Sequence, residues 1–197
     1  MKAGLGLGVV AVAMPVPALA KTHAKDAGKV HLKTPRILIK SPRIINRKAS
    51  KELAFLNLHT GERLKAEYVQ NGAYVPGALH AVSVLMRDHN NNKVHPIDPR
   101  LLDIAYAVHR KVGSGAQFNV VCGYRSPETN AMMHEESAGV AVHSMHIEGK
   151  AVDLRLPGTR LGALRKSALA LKMGGVGFYP HDDFVHIDTG AIRHWVG

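Results

Sequence analysis

Between Lys21 and Ser50 nine lysines and arginines stand against one acid, Asp26, and this imbalance decides which part of the chain can fold. A stretch carrying +8 repels itself and has little to bury, so residues 21–50 are expected to form a solvated, flexible arm. Residues 51–197 hold 16 basic and 14 acidic side chains, a net +2 out of the chain's +11. The basicity thus belongs to the arm, and nucleic-acid binding through a basic folded face is excluded. The arm retains a general attraction for anionic polymers or membrane surfaces, which salt would weaken. With 46% apolar and 21% charged residues overall, the remainder suits one globular domain, 51–197.

The first twenty residues read as an export signal. Lys2 supplies a minimal positive start, Gly4 to Met14 is uncharged and apolar, and Ala18-Leu19-Ala20 has the small-x-small spacing of a signal-peptidase site. Pro15 and Pro17 interrupt the run, which is short of the ~20 apolar residues a spanning helix needs. No other segment is apolar enough to cross a bilayer, so no stable membrane span is expected after cleavage. Cys122 is the single cysteine, so no intramolecular disulfide can form. Its apolar surroundings, Phe118 to Val121, predict a buried strand position.

Helices and strands alternate without a β-α-β rhythm, which predicts an α+β domain built on a mainly antiparallel sheet. Leu53–Leu58 and Leu64–Tyr68 flank a turn at His59–Glu62 and predict a hairpin. Residues 77–88 carry Leu79, Val82, Leu85 and Met86 at helical spacing. Asp98-Pro99 predicts an N-cap and first helical residue for a helix to about Val112, stopped by Gly113. Strands are expected at 117–122, 151–156, 176–179 and 184–188, and further helices at 127–136 and 159–173.

The stretch His143 to Asp153 carries the chemistry. Gly149 suits a turn between a loop bearing His146 and a strand bearing Asp153, on which Ala151, Asp153 and Arg155 share a face. His186 and Asp188 share a face of another short strand. Two imidazoles and a carboxylate can fill three corners of a tetrahedral zinc site and leave the fourth for water. Spacing alone leaves alternatives open: any one of 13 histidines can be a plain solvated residue, and Asp153 can cap a turn or pair with Arg155.

The pattern Ser144-x-His146-x-x-Gly149-x-Ala151-x-Asp153 with a later His186 resembles the zinc peptidase group of lysostaphin-type, D-Ala-D-Ala carboxypeptidase-type and hedgehog-like domains. The phrases Asn57–Glu62, Ile97–Asp103, Gly123–Pro127, Gly174–Gly177 and Phe184–Gly190 resemble the exported MepK-like murein endopeptidases more narrowly, over about 51–197. That resemblance implies a hedgehog/D-Ala-D-Ala-peptidase-like fold, one Zn²⁺ per chain, and His146, Asp153 and His186 as its ligands. It makes Arg125 the group that steadies the oxyanion, with capping of the helix at Pro127 as the structural alternative. Asp183, three residues before His186, takes the place of the family's general base. Ser144 matches the motif as a substrate contact, His143 is added by proximity, and Asp188 is expected to orient a ligand. The implied partner is peptidoglycan peptide stems in the periplasm. The implied bond is the D-Ala to meso-diaminopimelate cross-link. The alternatives are a D,D-carboxypeptidase, an L,D-specific peptidase, or a wall-binding module that keeps zinc without catalysis.

Overall fold

The computed structural model describes residues 50–136 and 140–197. The signal segment expected at 1–20 and all but the last residue of the arm at 21–50 lie outside them. Lys51–Asn57 (β1) and Arg63–Gln70 (β2) form the expected hairpin, closed by Asn57, whose Oδ1 accepts from the amides of His59 and Thr60 at 2.9 and 3.2 Å. Ala73–Tyr74 (β3) adds a short edge that sequence did not foretell. Pro76–Leu85 (α1) and Pro99–Val112 (α2) follow. Asp98 caps α2 as expected, accepting from the Arg100 amide at 2.9 Å, and Gly113 ends it in the left-handed region.

Phe118–Cys122 (β4), Pro127–Glu136 (α3) and Ala151–Arg155 (β5) come next. Leu161–Leu169 (α4) is shorter at both ends than the expected 159–173. Lys172 and Gly174 both take positive φ, which stops the helix before Met173. Gly175–Tyr179 (β6) and Phe184–Asp188 (β7) form the expected final hairpin, and an additional strand, Arg193–Val196 (β8), pairs beside β6.

All eight strands form one sheet in the order β3-β2-β1-β4-β5-β7-β6-β8. The ladders are antiparallel except β1 with β4 and β6 with β8, so the mainly antiparallel α+β expectation holds. One face is apolar: Phe55, Phe118, Val120, Val152, Leu154, Val185 and Ile187 are buried with Leu101, Leu102 and Val108 of α2 and Leu164 of α4. Burying each such side chain is worth roughly 1.5–3 kcal/mol, and this layer holds the sheet's shape.

The opposite face carries the polar residues, and register lines them up. Asp153 on β5 pairs directly with His186 on β7, and His186 pairs with Gly177 on β6, which pairs with Trp195 on β8. Directly opposed residues share a face. Gly177 is required in this row, because a Cβ there would come 2.7 Å from the Trp195 ring and 2.8 Å from the Tyr179 ring. A second glycine sets the approach to β5. Gly149 has φ +64°, and a side chain on it would collide with the Pro96 carbonyl oxygen.

Gly149→Ala is therefore expected to destabilise the domain by more than ~1 kcal/mol, because both the backbone conformation and the space are lost. Urea denaturation of the two proteins measures it; an unchanged midpoint would show that the turn tolerates a side chain.

Candidate metal centre

Four pieces of chain meet at the site. The alternation of β5 turns Ala151, Asp153 and Arg155 away from the core, and β7 does the same for His186 and Asp188. The loop before Gly149 folds back as a series of turns: the Ile147 amide donates to the Ser144 carbonyl and the Gly149 amide to that of His146. This brings His146, 3% exposed, against the strands. The segment after β4 is fastened by Asp88, whose carboxylate accepts from the Ser126 amide at 2.9 Å, and by the Tyr124 amide donating to the Met86 carbonyl at 2.7 Å. The Arg125 amide donates to the His146 carbonyl, so the arginine and the histidine loop are tied together.

Three single atoms converge. His146 Nε2 lies 3.2 Å from His186 Nδ1 and 3.4 Å from Asp153 Oδ1, and His186 Nδ1 lies 2.9 Å from that same oxygen. The outward nitrogens fix the tautomers. His146 Nδ1 is 2.7 Å from the Gly123 carbonyl, which can only accept, so the proton sits on Nδ1. His186 Nε2 is 3.1 Å from the Asp188 carboxylate, so its proton sits there. With those protons outward, both inward nitrogens can turn lone pairs towards the Asp153 oxygen and a cation between them, deep in the protein. Three buried acceptors this close call for a cation among them. Ligand atoms of a tetrahedral zinc at about 2.0–2.1 Å are spaced by about 3.4 Å, so the donor set and its spacing fit a divalent metal.

The electrostatics show the same demand for positive charge at this point, which a proton on His146 meets where no cation lies. Burial works against charge on His146, yet the adjacent Asp153 and Cys122 raise its pKa well above the ordinary imidazole value. Burial works against the Asp153 carboxylate too, but His146 and then His186 hold its pKa far below the usual range. Asp188 resists burial in the same way, through His186, Arg193 and the Gly190 amide. It is fully buried and accepts from His186, from the Gly175 and Gly190 amides and from both Arg193 amino groups. A carboxylate behind an imidazole in this fashion fixes ring orientation and raises the basicity of the inward nitrogen.

The site opens into a cleft of about 1210 Å³ that is also lined by Arg125, His143, Ser144 and Asp183. The structure thus brings together every residue singled out from sequence. Arg125 points its guanidinium at Asn130 Oδ1 (3.3 Å) and Cys122 Sγ (3.6 Å), and its buried Nε has no partner among the described residues. Ser144 Oγ accepts from the His146 amide at 3.3 Å, which gives it a role in shaping the loop. His143 is exposed on the cleft wall. Asp183 takes a left-handed backbone conformation at the cleft edge. Its carboxylate, 66% exposed, lies 3.6 Å from Arg155 Nε.

Two participants escaped the sequence reading. Trp195 sits with its ring 5.1 Å from that of His186 and donates from Nε1 to the Tyr179 hydroxyl at 2.8 Å. Cys122 was expected at a buried strand position, but it is half-buried on the site face. The register shows why. Val120 pairs with Leu154 and Cys122 with Asp153, so two residues of β4 oppose one of β5. This β-bulge turns Cys122 to the other side.

These features define the class. Residues 46–195 match the family Peptidase_M15_2, peptidoglycan L,D-endopeptidase MepK. The chain is 44% identical over 146 residues to the "Probable peptidoglycan L,D-endopeptidase MepK" of Haemophilus influenzae, covering 74% of this chain and 78% of that one. It is 38% identical over 190 residues to the peptidoglycan L,D-endopeptidase MepK of Escherichia coli K12, covering 96% and 92%. The solved L-Ala D-Glu endopeptidase ChiX of Serratia marcescens overlaps at a TM-score of 0.33 and 16% identity, over 48% of this chain and 68% of that one, too loosely to add to the assignment. The chain belongs to the Peptidase_M15_2 family and is a peptidase.

The support beneath Arg125 is itself testable. Burial alone would raise the Asp88 carboxyl, but the Thr129 hydroxyl and the Ser126 and Asn90 amides bring it down to about 2 from 3.8. A lowered folded-state pKa contributes stability that is complete above the unfolded value and is lost as pH falls through the folded one. Asp88→Asn is expected to cost roughly 2 kcal/mol at pH 7 and to flatten the stability profile between about pH 4 and pH 2. Denaturant melts across that range measure both effects, and parallel profiles for the two proteins would contradict the assignment.

Proposed function

We propose that the chain is an exported, periplasmic zinc metallopeptidase that hydrolyses peptide cross-links of peptidoglycan in cell-wall remodelling, with one zinc per chain held by His146, Asp153 and His186. The observation that carries this reading is the triangle of buried donor atoms with edges of 2.9, 3.2 and 3.4 Å. Bound there, zinc would polarise the scissile carbonyl and lower the pKa of a water towards neutrality. Among the described residues no helix is long and apolar enough to cross a membrane.

The chain's own residues divide the remaining work. The Gly123 carbonyl and Asp188 hold the outer imidazole protons of His146 and His186 and so keep the inner nitrogens free. Arg125, with its unpartnered Nε, complements negative charge that develops on the carbonyl oxygen as the amide carbon becomes tetrahedral. Asp183 accepts the proton of the attacking water at its carboxylate and passes it to the leaving amine. Its contact with Arg155 is solvent-exposed and contributes little, so a rotamer change towards the cleft is inexpensive. Ser144 and His143 contact the peptide stem along the cleft wall.

The scissile bond follows the names of the relatives, which specify L,D cleavage. They favour the L,D alternative over the D-Ala to meso-diaminopimelate bond, whose two centres are both D. Chromatography of muropeptides containing either type of cross-link decides between them: loss of the L,D dimer alone is the expected result. Loss of the D,D dimer, or release of a terminal D-Ala alone, would overturn the bond assignment.

Metal analysis is expected to find about one zinc per chain, retained in Asp183→Asn, while hydrolysis by that variant falls by at least ~100-fold. If Asp183→Asn stays active, the base lies elsewhere in the cleft, at His143, His181 or Asp182. Arg125→Ala is expected to lower kcat by about 10²–10³ with metal content unchanged. Lost metal with preserved turnover per bound zinc would make Arg125 structural.

A further inference from the structure

Arg125, Arg155 and Arg193 all line the cleft, and the reading above uses only the first. Arg193 gives both amino groups to Asp188. Arg155 is left with a charge and no task. It follows Asp153 by two residues on β5, so the two share the site face with Cα atoms about 7 Å apart. Its partner in the β4 ladder, Asn119, is uncharged. Nη2 donates to the Asp182 carbonyl at 2.7 Å, which fastens the guanidinium to the β6–β7 turn. The Asp183 carboxylate stands beside it, but Oδ2 stops 3.6 Å from Nε, outside hydrogen-bond distance. Nε is buried and has no hydrogen-bond partner among the described residues. A fixed guanidinium pairs with a carboxylate through short bonds of about 2.7–2.9 Å, so this one is anchored but unfilled, with Asp183 loosely in the place a closer carboxylate would take.

We propose that Arg155 binds a free carboxylate of the substrate on the leaving-amine side of the scissile bond, and that this carboxylate displaces Asp183 as it binds. The inference rests on the peptidase site proposed above. Diaminopimelate carries an amine and a carboxyl on each of two carbons, so an amine acylated in a cross-link keeps a free carboxylate on the same carbon. That group lies three bonds from the scissile carbonyl carbon, about 3–4 Å, short enough for a residue two positions beyond Asp153 to meet it. Both cross-links considered above have this feature, so the assignment does not depend on which is cut. The exchange is inexpensive, because the Asp183–Arg155 contact is long and exposed. It also has a consequence for order: the peptide that fills Arg155 is the one that turns Asp183 loose towards the cleft.

Two synthetic cross-linked peptides that differ only in this group, carboxylate or carboxamide, test the assignment on the zinc-loaded protein. The unmodified protein is expected to cleave the carboxylate peptide with kcat/KM about tenfold or more above that for the carboxamide, mainly through KM, and Arg155→Gln to treat the two alike. An unchanged kcat/KM for the carboxamide peptide in Arg155→Gln shows that the variant is folded. Equal cleavage of both peptides by the unmodified protein, or a preference that survives in Arg155→Gln, overturns the Arg155 assignment and leaves the peptidase reading standing. Binding supplies a readout that needs no turnover, because Trp195 is the sole tryptophan and lies on the cleft wall. Its fluorescence, titrated with the amine-bearing product fragment, is expected to show the same tenfold preference for carboxylate, lost in Arg155→Gln. That result with neither peptide cleaved overturns the peptidase reading and supports the carboxylate site. Asp183→Asn is expected to bind the carboxylate fragment about threefold or more tighter than the unmodified protein, since the competing charge is gone; equal or weaker binding overturns the displacement.

Discussion

The pairing of Asp153 with His186 across β5 and β7 is the interaction from which the rest of the site follows. Because residues opposite one another in an antiparallel ladder share a face, this one register places a carboxylate and an imidazole 2.9 Å apart without any loop to adjust them. A slip of one residue would send both into the apolar layer and bring Val152, Leu154, Val185 and Ile187 to the cleft. The packing of α2 and α4 on that layer, where Leu154 and Val185 are almost wholly buried, thus protects the chemistry on the opposite side.

Around this pair the structure spends its remaining polar groups on orientation. Asp188 sits two residues beyond His186 on the same face and ties its ring to the backbone of the 175 and 190 turns and to Arg193. The Gly123 carbonyl does the equivalent for His146 from the end of β4. Arg125 is placed from both sides, through its own amide to the His146 carbonyl and through Asp88 to the Ser126 amide. Donors aimed in advance need not reorganise when charge develops, which is how a rigid polar site lowers a barrier.

The cleft is asymmetric in a way that bears on the reaction. Arg125 is held on the β4 side, whereas Asp183 stands on the β6–β7 turn with its carboxylate towards Arg155. In the roles proposed for them, Arg125 would complement negative charge at a fixed position and Asp183 would have to swing to move a proton. Trp195 and Tyr179 wall the His186 side with an aromatic surface, made possible by the bare backbone of Gly177.

Much of this was legible before folding was considered, because it is local. Alternation along 151–155 and 184–188 assigns faces by a period of two, Asp98-Pro99 marks a helix start by capping chemistry, and Gly149 marks a turn by its freedom at positive φ. The spacing made His146, Asp153 and His186 candidates, and the family resemblance of the phrases around them singled out these three convergent residues, with Asp188 behind them. What the strand sequence of 118–122 does not contain is the bulge, since an extra residue shows itself only against a partner strand. The apolar run predicted a buried strand position for Cys122, and pairing with Asp153 put it half-buried beside His146. The imidazole tautomers, the Trp195 wall and the turn of Asp183 towards Arg155 are likewise fixed by groups distant in the chain. The sequence by itself determined which residues carry the convergent atoms, two on strands and His146 on the loop before Gly149. Only the tertiary structure decided which way those atoms point and what faces them, because orientation depends on contacts between segments that have no fixed distance until the sheet closes.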